Sequence, residues 1–203
     1  AATATLSDKS IYPYFCRLSP TTTGYSNAIR ASIMHYAQNG PGWTDVAVFP
    51  VANEFSISLA ESFINNAEPD INVVTYQQYL PGETDYDVEF TEIIHSGARV
   101  IIAFVPGEDW PGVINSADEY GLVGESYVWF TPSTVVGRHQ PQGIDASRGA
   151  LGSFIYVPED TPELNMFRDL WFSADPEEYP LAGTPLNTFT YLGYDRMVVA
   201  ARA

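Results

Sequence analysis

Apolar residues fall in short bursts separated by stretches with the period of a helix. The bursts begin near Asp45 (DVAVFP), Ile71 (INVVTY), Arg99 (RVIIAFV) and Tyr127 (YVWF), at intervals of 26, 28 and 28 residues. That interval is about the length of one strand-plus-helix unit. The run Val100-Ile101-Ile102-Ala103-Phe104-Val105 is apolar without alternation, as a parallel strand covered on both faces must be. Between the bursts, Ile29, Ile33, Tyr36 and Ala37 share a helical face that Gly40 and Pro41 end. Phe55, Leu59 and Phe63 recur every fourth residue after a cap at Asn53. Tyr86, Phe90, Ile93 and Ile94 follow a cap at Thr84 and stop at Gly97. Trp110, Val113, Ile114 and Ala117 stop at Gly121. Four successive units predict an α/β fold: a doubly wound, mostly parallel sheet in three layers, with right-handed crossovers.

The pattern changes after Phe130. Residues 131–149 show no period and read as a long loop carrying Arg138 and His139. One more strand is expected over Leu151–Val157. A helix then opens at Thr161-Pro162 and carries Leu164, Phe167, Leu170 and Trp171, with proline at its first position. After a Pro- and Gly-rich loop, a last helix carries Tyr194, Met197, Val198 and Ala201. These two helices have apolar faces but no strand after them, so they are expected to need a sheet that this chain lacks. The division expected is 1–150 against 151–203.

Composition narrows the function. Nine basic residues against 25 acidic ones leave a formal charge of −16. Such a field repels phosphate backbones and anionic membrane surfaces, so no nucleic-acid partner is expected. No apolar run approaches the roughly 20 residues that span a bilayer. The single cysteine, Cys16, excludes an internal disulfide and a cysteine-rich zinc site; set in the apolar run Tyr12-Pro13-Tyr14-Phe15, it reads as a buried, inert thiol. The opening AATATLSDKS has neither the basic nor the apolar part of a signal peptide, and it reads as the middle of a longer chain.

Enzyme signatures are missing: there is no Gly-rich phosphate loop, no G-x-S-x-G elbow and no H-E-x-x-H helix. His35 and His95 each fall in a last helical turn, where a partial positive charge suits the dipole, and His139 reads as a solvated loop residue. The acids Glu83, Asp85, Asp87, Glu89 and Glu92 lack EF-hand spacing and read as a solvated face. No catalytic residue, metal site or cofactor is therefore expected. In open α/β sheets ligands lie outside the carboxyl ends of the strands. Those ends supply Asn53, Glu54, Phe55, Glu108, Asp109, Trp110, Thr131, Ser133 and Thr134, a set that suits a small polar ligand.

Several ordered segments carry a family resemblance. They are Leu6-Ser7-Asp8, Tyr12-Pro13-x-Phe15-x-Arg17, Trp43 before its strand, Gly97-Ala98-Arg99-Val100-Ile101-Ile102, Tyr127-Val128-Trp129-Phe130, Leu151-Gly152 and Tyr194-Asp195. In order and spacing the chain resembles the type I periplasmic-binding-protein, or receptor ligand-binding "Venus flytrap", domains. Among these it looks most like class C receptors of the GABA-B and metabotropic glutamate type, and it is also similar to the ligand-binding regions of membrane guanylate cyclases. The resemblance implies a Rossmann-like lobe 2 in the first 150 residues, then a re-crossing strand and helices of an incomplete lobe 1. It implies closure of a bilobed clamp on a small polar molecule, amino-acid-like or an amine, in an interlobe cleft.

Carried over position by position, the resemblance makes Thr3 a ligand contact on entry to lobe 2. It places Asn53-Glu54-Phe55-Ser56 where glutamate-type members have a Tyr-Gly turn, so an aromatic ring is kept while the phenol and the glycine are lost. Aromatics that GABA-B members use fall at Pro106 and near Thr134, so neither GABA nor glutamate specificity follows. The expected ligand-binding residues are Thr3, Asn53, Phe55, Glu108 and Thr134. The expected function is the extracellular ligand-binding module of a membrane receptor, at the cell surface or, in a bacterium, the periplasm. It would pair with the missing half of lobe 1 and in a dimer or larger assembly. The alternatives are a flytrap-derived assembly module without a ligand, and a free solute-binding protein.

Overall fold

The computed structural model describes residues 4–136 and 145–202. They divide into two compact units, residues 1–154 and 155–203. The first unit is a five-stranded sheet in the order β2-β1-β3-β4-β5, with β1 Asp45–Pro50, β2 Asn72–Tyr76, β3 Val100–Phe104, β4 Val128–Thr131 and β5 Leu151–Gly152. Every pairing is parallel. Its helices are α1 Thr22–Asn39, α2 Glu54–Ala67, α3 Asp87–Ser96, α4 Trp110–Glu119 and the short α5 Ser133–Val136. The doubly wound α/β architecture read from the burst spacing is what the chain adopts.

Alternation along the strands divides the core. One face gathers Ala47, Phe49, Ile101, Ala103 and Trp129 against Tyr86 and Phe90 from the α3 side and Trp110, Val113 and Ala117 of α4. There Phe49 lies stacked on Tyr79 at 5.2 Å and tilted on Phe90 at 5.4 Å. Beneath α1 and α2 lies the other face, where Phe63 meets Phe104 at 6.5 Å. The two helices are tied by Ser26 Oγ, which donates to Leu59 O at 3.3 Å.

Local chemistry sets most helix ends. Asn53 Oδ1 accepts from Ser56 N at 2.9 Å and opens α2. Gly97, at φ 74°, closes α3 in the left-handed conformation that glycine adopts without a Cβ clash. The expected cap at Thr84 is not used. Asp85 Oδ1 instead accepts from Asp87 N at 3.1 Å, and Tyr86 is drawn into the core, so α3 begins at Asp87. Ile93 takes the inward position in α3 and leaves Ile94 exposed.

Two further expectations change. The stretch expected as loop from 131 onward contains the end of β4, α5 and a 3-10 turn at Asp145–Ser147; Arg138 and His139 lie outside the described residues. The strand expected over Leu151–Val157 is only Leu151–Gly152. Its partner β4 ends at Thr131, because Pro132 and α5 turn the chain away; after Ser153 N donates to Thr131 O at 3.3 Å there is nothing left to pair with. Gly152 also needs its missing side chain. A Cβ there would stand 2.4 Å from Val136 Cγ1 and 2.9 Å from Thr131 O.

The second unit holds α6 Pro162–Ser173 and α7 Thr188–Arg202. Thr161 Oγ1 accepts from Leu164 N at 3.2 Å, the expected cap with proline behind it. Of Leu164, Phe167, Leu170, Trp171, Met197 and Val198, only Phe167 is buried in the structure; Leu170 is 58% and Met197 71% exposed. Among the described residues, no helix is long and apolar enough to cross a membrane.

Candidate functional site

The loops after β1, β3 and β4 follow three neighbouring strands, so they stand side by side at the carboxyl edge, about 4.8 Å apart per strand step. The order reverses at β1, whose neighbours are β2 on one side and β3 on the other, and that switch point is where an open parallel sheet leaves a crevice.

Four of the five expected site residues sit on this edge. Asn53, the cap of α2, follows β1, and Phe55 is half-buried in the first turn of α2. Glu108 is exposed in the loop between β3 and α4. Thr134, half-buried in α5, donates from Oγ1 to Val105 O at 3.0 Å, so its hydroxyl hydrogen holds the loop after β4 to the end of β3. Thr3 lies outside the described residues.

What sequence reasoning missed is how the edge is tied across its width. Val51 N donates to Phe104 O at 3.2 Å and Ala52 N to Tyr79 O at 2.8 Å, so pairing continues past the strand ends. Tyr79, fully buried, donates from its hydroxyl to Asp109 Oδ2 at 2.8 Å, joining the segment after β2 to the loop after β3. Burial holds the Tyr79 phenol far above its ordinary range, and the hydrogen bond to the Asp109 carboxylate pushes the same way. Tyr86 is raised for similar reasons, burial first and then the charges of Asp109 and Glu83. Trp110 Nε1 donates to Ser147 Oγ at 2.9 Å, and Ser133 Oγ donates to Tyr25 Oη at 3.4 Å, joining α5 to the start of α1. A tyrosine three residues beyond β2 and an aspartate five beyond β3 were visible in sequence, but nothing local pairs them.

Chemically, the edge offers carboxylates at Glu54, Glu108 and Asp109, one aromatic ring at Phe55, and backbone groups held in place by these bonds. The groups of His, Cys, Asp and Glu needed to hold a metal do not occur among the described residues.

A profile of the receptor family ligand binding region matches residues 1–203. The chain belongs to that family. Two similar curated proteins are glutamate receptor 2.2 and glutamate receptor 2.9 of Arabidopsis thaliana, each 28% identical, over 94% and 100% of this chain. The chain spans about a fifth of the length of these relatives, 20% and 21%. Among solved structures, a solute-binding protein of an ABC transporter from R. palustris, in complex with 4-hydroxybenzoate, superposes with a TM-score of 0.68 at 25% identity. That match covers 84% of this chain and 45% of the other. The receptor ligand-binding, periplasmic-binding-protein type I assignment made from Tyr12-Pro13-x-Phe15-x-Arg17 and the later segments therefore stands. This receptor-family module is of a kind that binds ligands, and its relatives are receptors and solute-binding proteins.

Proposed function

We propose that this chain is part of the ligand-binding module of a membrane receptor, facing the cell exterior or periplasm, and that it binds a small polar molecule and releases it unchanged. The carboxyl edge is the site, with Asn53, Phe55, Glu108 and Thr134 around the ligand. One observation carries the reading: the loops of three neighbouring parallel strands are bonded to one another at their carboxyl ends, so the groups there are set before a ligand arrives. The names of the relatives and the aromatic acid held by the solute-binding protein support a small-molecule ligand. Residues up to about 150 form one lobe. The exposed apolar side chains of α6 and α7 pack against the rest of a second lobe in the whole protein.

The ligand carries positive charge on the side that meets Glu54, Glu108 and Asp109. Two like charges at about 4 Å, in an effective dielectric of about 20, repel by about 4 kcal/mol, so an amine or a zwitterion is preferred over a dianion. Calorimetric titration of the whole protein with amino acids, amines and dicarboxylates tests this. Phe55→Ala and Glu108→Gln are each expected to weaken the best ligand about tenfold, a loss of about 1.4 kcal/mol. Preferential binding of dicarboxylates overturns the charge argument. If no polar metabolite binds, the ligand reading falls and an assembly role takes its place.

A further inference from the structure

Of the nine asparagines in the chain, only Asn39 is followed by glycine. Asn39 is the last residue of α1, and both it and Gly40 are exposed. Pro41 comes next, and a residue before proline is pushed out of the helical region. Gly40 accordingly leaves the helix, at φ −147° and ψ −141°. The Asn39–Gly40 peptide therefore lies where a helix frays, and the glycine nitrogen has no Cβ beside it to shield it. Asn115, followed by serine, lies instead inside α4, where the ladder of the helix holds the backbone.

The Asn39 carboxamide is turned toward a group that handles protons. Its Nδ2 donates to the His35 carbonyl at 2.8 Å and lies 3.5 Å from His35 Nδ1. Positions 35 and 39 are about one helical turn apart and so share a face. The imidazole is exposed, with its ring set edge-on to Tyr36 at 5.4 Å.

We propose that Asn39 is a site of self-modification: its side chain closes on the Gly40 nitrogen, and His35 supplies the proton that lets ammonia leave. The Gly40 N–H gives its proton to hydroxide, and the nitrogen forms a bond to Asn39 Cγ. The electron pair of the carbonyl moves onto Oδ1. When it returns, the Cγ–Nδ2 bond breaks and Nδ2 departs as ammonia, taking a proton from the His35 imidazolium. Water then adds to either carbonyl of the cyclic imide and opens it to aspartate or isoaspartate. The sum consumes water and releases ammonia, with no oxidation or reduction. Imidazole suits the role because it exchanges protons near neutral pH. The product places a negative charge at the end of α1 where the helix dipole is itself negative. Isoaspartate also lengthens the main chain by one methylene between α1 and β1. None of this depends on the ligand proposed for the carboxyl edge.

The test is to incubate the whole protein in neutral buffer and map its peptides by mass spectrometry over days. The amide nitrogen is read as replaced by oxygen, and electron-transfer fragments separate isoaspartate from aspartate. Position 39 is expected to convert several-fold faster than any of the other eight asparagines. His35→Gln is expected to slow it several-fold at neutral pH, and to leave a rate that simply rises with hydroxide. In urea, where the helix no longer holds the two side chains together, the variant and the parent are expected to convert alike. If position 39 converts no faster than the other asparagines, the proposal is overturned. An unchanged rate and pH profile in His35→Gln, or an effect that persists in urea, overturns the part given to His35. Both side chains are exposed at a helix end, so the variants keep the fold, and circular dichroism checks that they do. The readout needs no ligand, so its failure is distinct from failure of the receptor reading.

Discussion

The two units contain equally regular helices, yet they differ in what those helices bury. In the first unit the central strands β1 and β3 are closed off on both faces, and Phe49, Phe90, Phe104 and Trp110 have almost no exposed surface. In the second, Phe167 is 8% exposed and packs on Trp171, Tyr191 and Tyr194 at 5.9, 5.8 and 4.5 Å, while Leu170, Phe172, Phe189 and Met197 stand in the open. A cap and a helical period are enough to write a helix. They do not supply what it rests on. An amphipathic helix gains most of its stability from the surface it covers, so the same pattern yields a buried layer over a sheet in one unit and a pair with several bare apolar side chains in the other.

Substitutions can break this contrast or sharpen it. The largest effect is expected from Phe49→Ala, which removes a ring held between Tyr79, Tyr86 and Phe90 and should cost about 3–5 kcal/mol. Urea unfolding of the first unit, followed by circular dichroism, measures it; a loss under 1 kcal/mol would mean that this cluster is not the core.

A smaller effect is expected from Tyr79→Phe, about 1.5–3 kcal/mol, because it strips the Asp109 carboxylate of its donor in a buried setting. The pH dependence reports how far burial, and after it this bond, raise the phenol. The Tyr79 phenol is raised above its ordinary value of 10.0 in the fold. Between the unfolded and folded values the folded state therefore holds a proton that the unfolded state has lost, and stability falls as pH rises past about 10. The wild-type protein should lose stability in that window, and Tyr79→Phe should lose it less steeply. Identical alkaline slopes would show that the Tyr79 phenol is not shielded from water in solution.

The smallest effect is expected from Leu170→Ala in α6. At 58% exposure it should lie within about 0.5 kcal/mol of the parent when the 203-residue chain is examined alone. In the whole protein the same change is expected to cost more, since Leu170 would then be covered by the second lobe. A cost above 2 kcal/mol in the chain alone would show that the helix pair already has its partner surface.

How much of the site was legible depends on the range of each interaction. Asn53 was readable as a cap because its bond to Ser56 spans three residues, and that reading placed Phe55 beside it in the first turn. Glu108 and Thr134 were readable as carboxyl-edge residues because the strand ends are marked by the apolar bursts. The use of the Thr134 hydroxyl was not readable, since its acceptor is Val105, far back along the chain. Cys16 failed for a related reason. Its neighbours are apolar, but among them Tyr12 and Tyr14 are themselves exposed, so the run encloses nothing and the thiol lies at the surface rather than buried.

By itself, the sequence determined the order and type of the strands and long helices, the caps at Asn53 and Thr161, the stop at Gly97 and the parallel sheet. The caps and the stop rest on hydrogen bonds a few residues long, the helices on a period of 3.6, and the parallel strands on unalternating apolar runs at a regular spacing, all of which a single chain displays. Only the tertiary structure decided that β5 is two residues long, that α3 starts at Asp87, that Tyr79 reaches Asp109, and that Cys16 lies open at the surface. Each of those outcomes depends on where another segment ends or turns, such as Pro132 stopping β4, and the free energy of such a contact belongs to the pair of segments rather than to either one.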